Sequence, residues 1–278
     1  MEERQEYQLS CLPVSVFSDL RSGQLSLTEW ASFGKKVGLD AIDLNILCIS
    51  ALDNDQIVKL REELSRPVLM VTTYSDFTNP EEEGRQAAIA KAKQDIERSS
   101  LLGAKYIRLT AGQRYPAYSD AQTADQIVAC FEKCIPAAQE AGISVLLENH
   151  SRPGAWQYDD YDFHMGRMLL LWEKLKALPV NVNFDTANSF AIDGWKELID
   201  VFGDRIETVH INDLESVSPL RFCCVTDGIV PLEQQLRYLM SKGYRGPFCI
   251  EEASMKGLPG IGTAVEKTKA LLSAIGAR

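Results

Sequence analysis

Glu148, Asp185, His210 and Glu251 each close a short apolar run, in ISVLLENH, VNVNFDTANSF, IETVHINDL and PFCIEEAS. Runs rich in Val, Ile and Leu read as buried strands. Three carboxylates and an imidazole at the ends of four such strands form a donor set. Carboxylates brought close together repel, which raises some of their pKa values and costs stability. A divalent cation removes that cost. Oxygen-rich ligands with one imidazole suit Mn²⁺ first, with Mg²⁺, Co²⁺ or Zn²⁺ as alternatives, and the open positions of such an ion accept substrate. Each residue also has an ordinary explanation by itself. Asp185, before Thr186, could cap a helix, His210 could be a satisfied core histidine, and a glutamate at a strand end could be a surface group. Their placement on successive strands, 37, 25 and 41 residues apart, favours the joint reading, since each gap is about one strand-helix unit.

The elements that must carry these residues follow one repeating pattern. Short apolar strands are expected at about 8–17, 41–47, 67–73, 104–110, 143–149, 180–186, 206–212 and 247–253. Between them lie helix signals. Ser26 and Glu29 make a capping box for a helix to Val37. Asn79-Pro80-Glu81 opens a helix to Leu102, which stops before Gly103. Further helices are expected over Ala121–Ala141, Pro231–Ser241 and Thr263–Ile275. Strand and helix alternating eight times predict an α/β fold, a (β/α)₈ barrel filling residues 1–278 as a single domain. An open doubly wound sheet is the rival, but no G-x-G follows the first strand. Barrel active sites lie at the C-terminal ends of the strands, where the four donors fall.

The motifs LLENH, VNFDTAN, VHIND and CIEE, with LLGAKYIRLTAG before them, resemble the xylose isomerase-like TIM-barrel superfamily. That superfamily includes D-tagatose 3-epimerase, hydroxypyruvate isomerase, inosose dehydratase and endonuclease IV. The resemblance spans most of the chain, and none of its motifs singles out one enzyme. It implies that Glu148, Asp185, His210 and Glu251 bind one divalent metal and that Glu148 and Glu251, flanking it, are the acid/base pair. The implied function is a sugar isomerase or epimerase acting through an ene-diolate. The alternative is a lyase or dehydratase acting on a keto-sugar or keto-polyol. Two positions depart from the family. Asn188 stands where many members have His after the sixth strand, and Asn212 where many have Lys on the seventh. Both positions usually face substrate. Glu252 adjoins Glu251, but alternation sends only one inward, and the family pattern favours Glu251.

Substrate contacts are expected from His150, Asn188, Asn212 and Arg221. His150 shares the rim of Glu148 and could bond a sugar hydroxyl or serve as a loop histidine. Arg221 could reach substrate or be a surface charge. Trp156, Tyr158 and Tyr161 could wall the site or pack beneath their loop. The glycine-containing stretch 256–263 reads as a flexible connection, and no phosphorylated substrate is expected from it.

Bulk composition narrows the classes. A net charge of −10 disfavours nucleic-acid binding, and three histidines are too few for an endonuclease IV-like multinuclear site. Seven cysteines, an odd number with no CxxC pair, suggest reduced and buried thiols. No run of about 18 apolar residues occurs, so a cytoplasmic protein away from membranes is expected, with a small carbohydrate as partner. Assembly into a homo-oligomer is left open.

Overall fold

The computed structural model describes residues 7–152, 154 and 156–277. Its strands are β1 (Leu9–Leu12), β2 (Ile42–Asn45), β3 (Val68–Thr72), β4 (Tyr106–Leu109), β5 (Ser144–Glu148), β6 (Val180–Asp185), β7 (Ile206–Ile211), β8 (Asp213–Ser216), β9 (Arg221–Cys223) and β10 (Phe248–Glu251). All but β8 and β9 form one parallel sheet in the order β1-β10-β7-β6-β5-β4-β3-β2. The seam between β1 and β2 is drawn together by the Asp40 and Ala41 amides, which donate to the Leu9 carbonyl at 2.8 and 3.3 Å. The Leu9 amide returns a bond to the Asp40 carboxylate at 2.8 Å. The result is a nearly closed barrel. The expected (β/α)₈ architecture is therefore present, with each expected strand run containing one barrel strand.

The helices around it are α1 (Phe17–Ser22), α2 (Leu27–Val37), α3 (Asn54–Glu63), α4 (Glu82–Leu101), α5 (Asp120–Ala141), α6 (Met165–Leu175), α7 (Thr186–Ala191), α8 (Trp195–Phe202), α9 (Leu232–Ser241) and α10 (Gly257–Ala274). The Ser26–Glu29 capping box forms as read, with the Ser26 amide donating to the Glu29 carboxylate at 2.8 Å and the Glu29 amide to Ser26 Oγ at 3.2 Å.

Two sequence expectations need correction. The Asn-Pro-Glu stretch is the turn before α4 rather than its first turn. Asn79 Oδ1 accepts the Glu81 amide at 2.9 Å, and Arg85 donates to the Asn79 carbonyl at 2.7 Å. The stretch over 257–263 is the start of α10 rather than a flexible connection. Pro259 fits there because an amide in the first turn has no helical acceptor. The segment after β7 carries the antiparallel β8–β9 hairpin.

One apolar layer lies between barrel and helices and includes Trp30, Phe131, Trp172 and Phe202. A smaller one, Ala41, Leu69, Met70, Tyr106 and Leu146, forms a separate cluster on β3, β4, β5 and the residue before β2. Beyond the apolar layers the strands turn polar toward their C-terminal ends. All seven cysteines are free.

Candidate metal centre and active site

β5, β6, β7 and β10 deliver Glu148, Asp185, His210 and Glu251 to one place. Their ligand atoms all lie within 4.8 Å of one another. Parallel register explains the convergence, since Asp185 stands opposite His210 and Cys249 opposite His210, which places Glu251 one pleat higher. Glu148, Asp185 and His210 are buried, whereas the Glu251 side chain keeps 17% of its surface. Glu252, its neighbour, points away and accepts the Ser254 amide at 3.1 Å.

His210 Nδ1 faces both glutamates, at 3.1 Å from Glu148 Oε1 and 2.8 Å from Glu251 Oε2. Asp185 does cap α7, because its Oδ1 accepts the Asn188 amide at 2.6 Å. Its Oδ2 is nevertheless buried with no partner among the described residues, so capping does not use the second oxygen. The Asn149 side chain clamps the Asp185 backbone through two 2.9 Å bonds, one to the amide and one to the carbonyl. Glu148 Oε2 meets Arg108 Nε at 2.8 Å, and Arg108 is itself tied to the Thr73 carbonyl at 3.1 Å.

Electrostatics show what the set lacks. Burial opposes charge on Glu148, but Arg108 and His210 together outweigh it and hold the carboxyl well below its usual range. Burial and the Glu251 and Glu148 charges push the Asp185 carboxyl well up. Burial works against a charged His210, yet Glu148 leads the interactions that raise it far above its usual value. Both shifts, on Asp185 and on His210, run in the direction that lowers the net negative charge of the set. A divalent ion fits that deficit, and the unpartnered Asp185 oxygen and the Nδ1 edge of His210 are suitable ligands.

His150 is buried beside this set. Its Nδ1 lies 3.1 Å from Asp160 Oδ2. Asp160 is held by the Gly112 and Tyr161 amides, both at 3.1 Å. Gly112 has φ +120°, and a Cβ there would stand 2.8 Å from the Thr78 amide nitrogen, so the turn requires glycine. Burial and Arg108 push the His150 imidazole down to about 4, which leaves it neutral at pH 7. A cavity of about 690 Å³ opens nearby, lined by Phe17, Asn45, Leu47, Tyr74 and Gly154 among others. The Arg108 guanidinium lies 5.7 Å from the ring of Tyr74, one of the residues that line this cavity.

The remaining expected contacts are placed less closely. Asn188 is buried with an unpartnered Oδ1, and Asn212 is buried with an unpartnered Nδ2. Arg221 sits on the β8–β9 hairpin, 59% exposed, with Nε 3.5 Å from Glu215. Tyr161 packs beneath its loop, its hydroxyl donating to the Asp120 carbonyl at 2.6 Å. Sequence reading missed Arg108, Asp160, Asp43 and Cys249. For Arg108 and Asp43 a signal existed: a charged residue inside an apolar run, in AKYIRLT and AIDLNIL, which only a buried partner makes affordable.

Residues 32–274 match the family described as xylose isomerase-like TIM barrel. No curated protein sequence matches the chain. Solved structures that resemble it do so at low identity. The probable 3-DHS dehydratase AsbF of Bacillus anthracis aligns over 94% of this chain and 98% of its own, with TM-score 0.75 and 14% identity. The IOLI protein, solved with a zinc atom, aligns over 97% and 98%, with TM-score 0.76 and 16% identity. D-allulose 3-epimerase from Methylomonas sp., in complex with D-allulose, aligns over 96% and 97%, with TM-score 0.75 and 16% identity.

Proposed function

The chain belongs to the xylose isomerase-like TIM-barrel family, and from that premise we propose that it is a divalent-metal-dependent sugar isomerase or epimerase, its residues 1–278 forming one barrel domain. The observation that carries this reading is the convergence of Glu148, Asp185, His210 and Glu251 within 4.8 Å. Mn²⁺ is our first choice of ion because three of the four ligands are carboxylates. Zinc in the IOLI protein makes Zn²⁺ the next.

When bound, the ion supplies Lewis acidity to the vicinal oxygens of a hydroxy-ketone, which acidifies the adjacent C–H. We assign that proton to Glu251. It is the most exposed of the four donors, and its Oε1 has no hydrogen bond among the described residues. The product of that transfer is an ene-diolate, and a proton returned to the other face or the neighbouring carbon gives epimerisation or isomerisation. Glu148 is the second carboxylate, and its share of the transfer requires Arg108 to release Oε2. His150, neutral and oriented by Asp160, accepts a hydrogen bond from a substrate hydroxyl. Asn188 and Asn212 offer an unpartnered oxygen and an unpartnered amide to other hydroxyls, and Arg221 reaches substrate only if the hairpin folds inward.

The second reading is a lyase or dehydratase on a keto-sugar or keto-polyol. The Arg108–Glu148 pair favours it, because elimination needs only one carboxylate to take the first proton. DNA repair chemistry is outside the proposal, on the net charge of −10 and the three histidines. Among the described residues no helix is long and apolar enough to cross a membrane. We place the enzyme in the cytoplasm, with a small carbohydrate as its partner.

Elemental analysis tests the centre. Wild-type protein should hold about one divalent ion per chain, and Asp185→Ala should lose it, since a three-ligand remnant binds weakly. Active wild-type enzyme without metal would sink the reading. A screen of ketoses and 3-keto-glycosides in deuterated water then identifies the reaction. Epimerisation or elimination washes solvent deuterium into the carbon beside the carbonyl, and a hydride shift does not.

A further inference from the structure

Beside the four donors, a second cluster uses the same histidine. Asp43, Cys249 and His210 bring potential ligand atoms within 4.8 Å of one another, all three buried. Asp43 comes from the middle of β2, a strand that contributes nothing to the four-donor set. Its carboxylate is fixed from two sides, by Ser10 Oγ at 3.0 Å and by the Met70 amide at 3.1 Å. Cys249 pairs in register with both Ser10 and His210, so its thiol enters the barrel between them. The thiol thus lies within 4.8 Å of both the Asp43 carboxylate and a ring nitrogen of His210. His210 Nδ1 is taken by the glutamates, and its Nε2 is buried without a closed hydrogen bond.

A histidine that ligates through one nitrogen needs the proton on the other, and the partner of that N–H sets the tautomer and the ring plane. A carboxylate usually does this directly. Here a sulfur stands between. A thiol is both a weak donor and a weak acceptor, so it can accept from Nε2–H and pass its own proton toward Asp43. Asp43 in turn accepts from Ser10 and Met70 and has no donor of its own when ionised. Every bond in that series points one way.

We infer that Asp43 and Cys249 are positioning residues that hold His210 with its proton on Nε2 and its lone pair on Nδ1, facing the metal position. The inference rests on the metal reading above. The series explains why an ionisable residue sits in the middle of the apolar run AIDLNIL, and why a cysteine stands two residues before Glu251.

Zinc affinity by chelator competition tests it, alongside thermal unfolding of each variant. Cys249→Val keeps the volume and removes the sulfur, and Asp43→Asn keeps the shape and presents an N–H where an acceptor is needed. Each should weaken zinc binding about 10- to 100-fold, the usual effect of losing such a partner. Cys249→Ser, which can still accept and donate, should stay within a few-fold of wild type, a rescue that a packing role would not give. The Nε2–H resonance of His210 in zinc-loaded protein should be present in wild type and in Cys249→Ser and shift in Cys249→Val. Wild-type affinity in both Cys249→Val and Asp43→Asn would overturn the inference while leaving the metal reading intact. Failure of wild type to bind zinc, manganese or cobalt at all would defeat the metal reading itself and the inference with it. A thiolate charge-transfer band in cobalt-loaded protein would also overturn it, because Cys249 would then be a ligand and not a spacer.

Discussion

Glu148 and Glu251 occupy equivalent places, each the last residue of a barrel strand, yet the fold treats them in opposite ways. Glu148 is sealed, with Oε1 on His210 at 3.1 Å and Oε2 on Arg108 at 2.8 Å. Among the described residues, Glu251 has an ion-pair contact with His210 alone, at 2.8 Å, and keeps part of its surface open. A carboxylate with an arginine on its free oxygen is stabilised as an anion and is a weak base. One with an open oxygen can exchange a proton with substrate. The same amino acid is thus pinned by a guanidinium on β5 and left part open on β10, and in the proposed mechanism the first proton falls to Glu251; the difference lies in strand β4, which supplies Arg108.

The largest effect should separate these roles. Glu251→Gln keeps shape and one ligating oxygen but cannot accept a proton. Turnover of a substrate found in the ketose screen should fall by about 10²–10⁴, the usual worth of general acid–base catalysis. Measured at saturating metal, deuterium incorporation should fall in parallel, while metal affinity changes less. Glu148→Gln should lose metal affinity and thermal stability along with activity, because it leaves Arg108 without its anion. If Glu251→Gln retains full turnover, the proton carrier is elsewhere and the contrast drawn here fails.

The contrast was only half legible in the sequence. The four donors were readable because strand-end position and spacing are one-dimensional facts: β5, β6 and β10 end on a donor, and β7 ends at Ile211, next to His210. Arg108 was not weighed, because its meaning depends on register between β4 and β5, where it lies opposite Leu146 and reaches Glu148 along the rim. Asp43 hid for the same reason, its partners coming from β1, β3 and β10. His150 was read at the rim of Glu148, but Asp160, 3.1 Å from its Nδ1, lies in an irregular loop that periodicity does not resolve. The start of α10 was misread because three glycines within it lower helix propensity, and packing of Ile261, Ala264 and Val265 into the core overrides that local preference.

Arg108→Met sharpens the comparison from the other side. Removing one partner of a buried pair strands the remaining charge, so metal-free protein should lose about 3–5 kcal/mol at pH 7. The sign follows from the pKa shift. Arg108 and His210 hold the Glu148 carboxyl well below its usual range, so the stabilisation exists above the ordinary carboxylate pKa and fades as pH falls through the depressed one. Without Arg108 that value rises, and the protection ends at a higher pH. Denaturant unfolding across pH 3–8 checks this, and a variant as stable as wild type at pH 7 would mean that the pair carries no net stabilisation. Arg108→Lys should recover part of the loss but not the fixed geometry, since an ammonium lacks the planar fork.

The smallest expected effect comes from Asp162, whose charge Glu148 opposes. Both of its carboxylate oxygens are buried and have no hydrogen-bond partner. Burial first, then the Glu148 charge, pushes its pKa well above the usual value. For an acid whose folded pKa is raised, the folded state resists ionisation. Stability is therefore intact below the ordinary carboxylate pKa of about 3.9 and declines as pH rises through the window up to the folded value. Asp162→Asn removes the titration and leaves the shape. Metal-free Asp162→Asn should match wild type near pH 4 and exceed it at pH 8 by about 1–3 kcal/mol, the scale of an unsatisfied buried polar group. The comparison is read from denaturant midpoints at the two pH values. A gain of the same size at both would assign the effect to packing, and a loss at pH 8 would show that the charged form of Asp162 is held by a partner and helps to keep Arg108 turned toward Glu148.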